Sequence, residues 1–132
     1  MPEELRPGAR GEVGWTVEAQ HCTRRGEYDI FSTPAMVMLL ETAAMEAMAP
    51  FLGEGQGSVG SSVAVRHLAP TLKGMRIRAV ATVREVDRRR VAFDVEVWDD
   101  VEKVGEADHE RFVVDLDRYE RRLDQKRASV GG

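Results

Sequence analysis

The chain has 132 residues, 42% of them apolar and 32% charged, with a formal net charge of −4. That length fits one domain around one core, and the acidic balance gives no reason to expect a nucleic-acid partner, whose phosphates are held by clustered Lys and Arg. A single cysteine, Cys22, excludes an intramolecular disulfide and fits a reducing, cytoplasmic setting.

The opening stretch MPEELRPGARG has no apolar segment and carries acids where an export signal carries bases. Residues 1–9 read as a loose lead-in. Within residues 11–23, Val13, Trp15 and Val17 stand at period two and predict a first strand. Arg24-Arg25-Gly26-Glu27 breaks that pattern as a loop. Thr33-Pro34 predicts a helix start, a hydroxyl capping residue followed by proline at the first helical position. The helix runs to Ala49 and stops at Pro50. Residues 34–52 approach membrane-spanning length. Glu41 and Glu46 would then stand in hydrocarbon, at a cost of about 2.5–3.5 kcal/mol for an acid at the centre. A buried helix of a water-soluble domain is therefore expected, with no membrane partner.

After a Gly-rich connector at 53–57, four strand-like runs follow. Residues 58–68 alternate, with Val59, Ser61, Val63, Val65 and His67 on one face. Residues 75–86 alternate through Ile77, Ala79, Ala81 and Val83, and 91–98 through Phe93, Val95 and Val97. Residues 104–114 form a more charged strand on which His109 and Arg111 share a face. The polar segments 87–90 and 98–103 are hairpin loops. Leu116, Tyr119 and Leu123 have helical spacing within 115–127, and 128–132 reads as a frayed tail. Only one helix is apolar enough to cover the sheet. The prediction is one α+β domain over 1–132: an antiparallel sheet of about five strands wrapped around one long central helix, with a short C-terminal helix.

On a helical wheel Glu41 falls with Val37, Ala44, Met45 and Met48, whereas Glu46 falls with Thr42 and Ala49 on a more polar stripe. Glu46 faces water or a subunit boundary. Glu41 points into apolar surroundings, where burial raises a carboxyl pKa toward useful base values, unless the helix is rotated to wet it. His67, on the helix-facing side of its strand, is the expected partner, and such a pair exchanges a proton near neutral pH; alone it reads as a structural histidine. Thr33 reads first as a helix cap, although the free N–H groups of that first turn also suit an oxyanion. Gly55-Gln-Gly57-Ser-Val-Gly60 matches G-x-G-x-x-G but follows a helix and enters a strand, the reverse of a dinucleotide fingerprint. Gly60 itself fits a close backbone approach. His21-Cys22 lacks the companions a metal site needs, and Asp87-Arg-Arg-Arg90 is most simply a solvated hairpin tip.

Phe31-Ser-Thr-Pro-Ala-Met-Val-Met-Leu-Leu-Glu41 resembles the helix entry of the fluoroacetyl-CoA thioesterase-like family of hotdog-fold enzymes. Ser58-Val-Gly60, Val65-Arg-His67-Leu-Ala-Pro-Thr71 and His109-Glu-Arg111 extend the resemblance over residues 12 to 114. It implies a hotdog fold, a homodimer or higher oligomer, and hydrolysis of acyl-CoA. It implies no metal and no cofactor beyond the coenzyme A of the substrate. It also implies a Thr33, Glu41 and His67 catalytic site, with Gly60 and Arg111 contacting substrate. The fluoroacetyl-specific member carries gating phenylalanines ahead of its threonine, where this chain reads Arg24-Arg-Gly-Glu-Tyr-Asp29, so fluoroacetyl specificity is not implied. Thr33 and Glu41 stand eight residues apart, ~12 Å along a helix, too far for a direct bond and suggestive of a site shared between chains. Glu41 then acts as nucleophile or as base on water. Other classes remain open: a non-catalytic acyl-CoA or small-lipid binding module, and a hotdog hydratase or dehydratase.

Overall fold

The computed structural model describes residues 4–131. The elements are β1 (Arg10–Thr16), a 3₁₀ turn (Ala19–His21), β2 (Cys22–Arg25), β3 (Tyr28–Phe31) and α1 (Thr33–Met48). A second 3₁₀ turn (Ala49–Phe51) leads to β4 (Gln56–His67), β5 (Arg76–Asp87), β6 (Arg90–Asp99), β7 (Lys103–Asp115) and α2 (Leu116–Gly131). Five strands make one antiparallel sheet in the order β1-β5-β6-β7-β4, and β2 pairs with β3 in a separate hairpin. The expected α+β arrangement of a sheet around one helix is the one observed.

The core forms between the inner sheet face and α1. Met36, Leu39, Leu40, Ala43, Ala44, Ala47 and Met48 are buried on the helix, against Ile77, Ala79, Ala81, Val83, Phe93, Val95 and Val97 from β5 and β6. Gly11 lets β1 lie directly on α1, because a methyl group there would overlap the backbone at Ala43 and Ala47. No helix among the described residues is long and apolar enough to cross a membrane.

Several local expectations are corrected. The first strand stops at Thr16 rather than Thr23, because Glu18 caps a 3₁₀ turn in which its N–H donates to His21 Nδ1 at 3.0 Å and Trp15 stacks on the His21 ring. Arg24 and Arg25 belong to β2, and Gly26, at φ 60°, turns the β2–β3 hairpin. The last helix does not fray at residue 128 but continues through Gly131. In the lead-in, residues 1–3 lie outside the described residues. From there on it is partly tied down: Leu5 packs on the core, and Gly8 and Ala9 hydrogen-bond Val83. The Gly-rich connector yields to β4 at Gln56.

Strand β4 holds the largest departure. Gly60 pairs with Arg111 and Ser62 with Glu110, leaving Ser61 as an extra residue in a bulge. Alternation therefore changes phase at Ser61. Gly60 faces the helix before the bulge, and Val63 and Val65 pack on the core after it. Val59 and Ser61 do not share the face of Val63, Val65 and His67, contrary to the simple period-two reading.

Candidate active site

The helix start contains two adjacent hydroxyls with different duties. Ser32, not Thr33, is the cap: its backbone is extended, and its Oγ accepts from the Ala35 N–H at 3.2 Å. Thr33 is thus the first helical residue and its hydroxyl is not used by the helix. Instead Thr33 Oγ1 lies 2.9 Å from His67 Nδ1, at the end of β4. The other ring nitrogen, His67 Nε2, is buried and has no hydrogen-bond partner among the described residues. Burial lowers the His67 pKa, against a smaller opposing effect of the Ala69 backbone, so the neutral ring is favoured. When the hydroxyl donates to Nδ1, the proton of the neutral ring sits on Nε2.

One-third of the way along β4 a second group forms. Arg111 is 4% exposed in its side chain, and its Nη1 donates to Glu41 Oε2 at 3.0 Å. Its Nε donates to Ser58 Oγ at 2.9 Å and its Nη2 to the Ser58 carbonyl at 3.3 Å. Arg111 Nη1 also stands 3.3 Å from His109 Nε2, while His109 Nδ1 lies 2.8 Å from the Ser62 carbonyl. A carbonyl and a guanidinium leave one consistent tautomer: Nδ1–H donates to Ser62, and Nε2 accepts from Arg111. Burial above all, with the Arg111 charge behind it, holds the His109 pKa below its ordinary value against the Ser62 hydrogen bond. His109 is fully buried and stacks on Phe93 at 5.9 Å.

Gly60 completes this group by what it lacks. A methyl group on it would overlap Glu41 Oε2 and reach within 3.2 Å of Arg111 Nη1. Ser61's bulge therefore places a bare backbone against the carboxylate just where the phase of the strand changes.

The arrangement revises the partner expected for Glu41. Its side chain is 31% exposed and bonded to a guanidinium, not sunk in apolar surroundings. His67 pairs with Thr33, and no hydrogen bond joins the Thr33–His67 pair to the Glu41–Arg111 pair within one chain. Glu46 is exposed, as its polar stripe predicts. His109 and Ser58 were not picked out as functional, though a signal existed: His109 and Arg111 are polar residues on the inward face of β7, directly across from β4. Cys22 donates its thiol to the Glu18 carbonyl at 3.3 Å, and burial, then Asp29, raises its pKa away from the reactive thiolate. Among the described residues no three His, Cys, Asp or Glu side chains gather as a metal site.

A curled antiparallel sheet around one helix, with polar side chains converging from the helix and the sheet edge, defines the hotdog thioesterase class. A solved fluoroacetyl-CoA thioesterase superposes with a TM-score of 0.86 at 32% identity, covering 94% of this chain and 98% of that one. A thioesterase superfamily member from Thermus thermophilus also gives a TM-score of 0.86, at 28% identity over 96% and 98% of the two chains. The family model described as fluoroacetyl-CoA-specific thioesterase matches residues 11–117. The fluoroacetyl-CoA thioesterase of Streptantibioticus cattleyicolor is 38% identical over 98 residues, 74% of this chain and 70% of that protein. The chain belongs to the fluoroacetyl-CoA-specific thioesterase family.

Proposed function

We propose that this protein hydrolyses acyl-CoA thioesters to free acid and coenzyme A, with Thr33, Glu41 and His67 as catalytic residues and no cofactor beyond the substrate's own coenzyme A. The observation that carries the reading is the ordered pair of groups: a hydroxyl on an imidazole at 2.9 Å, and a carboxylate on a buried guanidinium at 3.0 Å beside a bare glycine backbone. Glu41 supplies the attacking carboxylate or activates the attacking water. Thr33, with the Gly60 backbone, orients and polarises the thioester carbonyl. His67 delivers the proton that the leaving thiolate needs.

Two copies assemble the working site in this proposal. Within one chain Thr33 and Glu41 are a helix length of ~12 Å apart. Met38 and Met45 are 62% and 44% exposed and flank Glu41 one turn to either side on α1. Strand β4 is a 12-residue sheet edge, the kind of exposed edge that a second copy covers. A cytoplasmic location fits the unreactive Cys22.

The test is a thiol-release screen across short, branched, aromatic and long acyl-CoAs. Glu41→Gln should lower kcat by about 10²–10⁴-fold, the range for a lost acid–base group. A folded wild-type protein that releases thiol from none of these substrates would overturn the proposal. One turnover in oxygen-18 water then separates the two roles of Glu41: label in the protein carboxylate identifies the nucleophile, and unlabelled carboxylate identifies the base. A hydratase would leave the thioester intact and release no thiol.

A further inference from the structure

We infer that α2 is a docking arm for a second copy of this chain: its stripe of Leu116, Leu123 and Val130 seats on the partner's Leu68 and the partner's Leu72. This rests on the two-copy reading of the site for the identity of the occupant, but the arm itself is argued from residues outside the catalytic group.

Beyond its first turn α2 has no packing to hold it. Leu116 is anchored: its N–H donates to the Gly55 carbonyl at 2.9 Å, and its side chain lies over Gly57 of β4. Tyr119 is half-buried, and every residue from Glu120 to Gly131 is exposed. A helix of this length is marginal in water unless one face is packed. Its charges do not supply the difference. Arg118, Arg122 and Lys126 follow one another at i+4 spacing, as do Glu120 and Asp124, and like charges so placed repel. Against them stands the single ion pair Arg127–Asp124 at 3.2 Å, the one within α2 among the described residues. Leu116, Leu123 and Val130 meanwhile stand seven residues apart, on one line along the helix, and all three are exposed. An apolar line on an otherwise unsupported helix is a face that another surface covers.

The stripe is turned toward the β4 edge. Arg118, Tyr119 and Arg122 line a cleft with Arg89 and Val113, so that side of α2 looks back across β7 to the β5–β6 hairpin. Leu116 lies instead on Gly57, and Leu123 and Val130 continue its line. β4 is the last strand of the sheet on that side. The apolar line thus extends the same open edge that the shared site needs a second copy to cover.

Twofold symmetry then selects what the stripe meets. An isologous pair brings the Glu41–Gly60 group of each copy to the Thr33–His67 pair of the other. Two β4 edges do this when they run antiparallel with Gly60 level with the partner's His67. Leu116 follows Asp115, whose strand partner Gln56 stands four residues before Gly60, ~13 Å further along the edge. It therefore reaches past the end of the partner's β4, where the partner's Leu68 and the partner's Leu72 are exposed. Charge agrees with this seating. Glu120, on the flank of the stripe away from Arg118 and Arg122, is exposed, as is Lys73 beside Leu72, and neither has an ion-pair partner among the described residues. Glu120 and the partner's Lys73 complete each other.

The experiment is sedimentation equilibrium of the full chain, which reads the dimer dissociation constant. Leu123→Ser/Val130→Ser should raise that constant at least about tenfold; both side chains are exposed in the single chain, so its fold stays intact. Glu120→Lys and Lys73→Glu should each loosen the dimer, and the two together should restore it. An unchanged constant in Leu123→Ser/Val130→Ser overturns the inference, as do charge reversals that add rather than compensate. A tetramer that falls to a dimer in the same variants assigns the stripe to helix pairing between dimers and also overturns it. So does a wild type that is monomeric at every concentration. The shared active site is scored separately, by mixing Thr33→Ala with Glu41→Gln and measuring thiol release. Recovered release with a dimer constant indifferent to α2 keeps that reading and removes this one, whereas an α2-dependent dimer without recovery does the reverse.

Discussion

Replacing Arg111 with methionine tests the part of the site that holds Glu41. The side chain is 4% exposed, and its loss strips donors from Glu41 Oε2, Ser58 Oγ, the Ser58 carbonyl and His109 Nε2. Breaking a wholly buried ion pair costs about 3–5 kcal/mol because one charge is left uncompensated. Glu41 is 31% exposed and can recover water, which discounts that figure. His109 is fully buried and cannot, so its nitrogen bears the cost of an unsatisfied acceptor, roughly 1–3 kcal/mol. The expected destabilisation is about 2–3 kcal/mol. For a domain of this size that lowers Tm by roughly 8–12 °C, read by circular dichroism. In thiol release, kcat should fall about 10²-fold, the effect of misplacing a reacting group by an ångström. Arg111→Lys keeps the charge but loses the fork, and should lie between the two proteins in both measurements. A melting point within about 2 °C of wild type for Arg111→Met would refute the reasoning, because the four contacts would then carry no net stability.

Other expected outcomes follow from single residues. Gly60→Ala forces Glu41 or Arg111 to move, so it should cost about 1–3 kcal/mol and reduce thiol release; a crystal structure with Glu41 and Arg111 unmoved would contradict this. Ser32→Ala should cost about 1 kcal/mol through the lost cap, whereas Thr33→Ala should leave stability within about 0.5 kcal/mol and lower turnover. Chemical denaturation and thiol release on both variants separate the roles, and a reversed pattern would return the cap to Thr33. Folding also holds His67 and His109 at lowered pKa values, so the unfolded chain binds the extra protons. Their contribution is fully present above about pH 6.5 and is lost as pH falls through the lowered folded-state values. Urea midpoints should therefore drop between pH 7.5 and pH 5.5, and less so in His109→Gln; midpoints that do not change would count against buried neutral imidazoles.

The period-two runs through Ile77–Val83 and Phe93–Val97 were legible because both strands are central and follow one alternation on the helix side. α1 was equally plain, since no other segment carries enough apolar surface to fill the sheet. Glu41 stood out for a sound reason, being an acid beside the core. Its hydrogen-bond partner within one chain was not legible because the wheel and the strand register place side chains on faces without giving their height along an axis. His67 lies level with the helix start and meets Thr33, while Arg111, two residues from His109, reaches Glu41. The cap was misassigned because Ser32 and Thr33 both qualify, and proline is tolerated at either of the first two helical positions. The β2–β3 hairpin was missed for want of an apolar pattern: its strands are four residues each, and β2 is mostly exposed. The family resemblance pointed to Gly60 and Arg111, but their contact with Glu41 depends on a bulge that no alternation pattern reveals.

That bulge acts as a switch of parity. With Ser61 in place, an even-numbered half of β4 presents Gly60 to the carboxylate, and an odd-numbered half presents Val63, Val65 and His67 to the core and to Thr33. Deleting this one exposed serine would remove, by itself, only the bond its hydroxyl donates to the Glu110 carbonyl at 3.2 Å. It would restore uninterrupted alternation, so that one half of the strand must turn its set outward: either Gly60 leaves the carboxylate or His67 leaves the hydroxyl. A deletion at Ser61 should therefore be far more damaging than its substitution by alanine, and the two groups of the site have their relative phase written in the length of the chain between them.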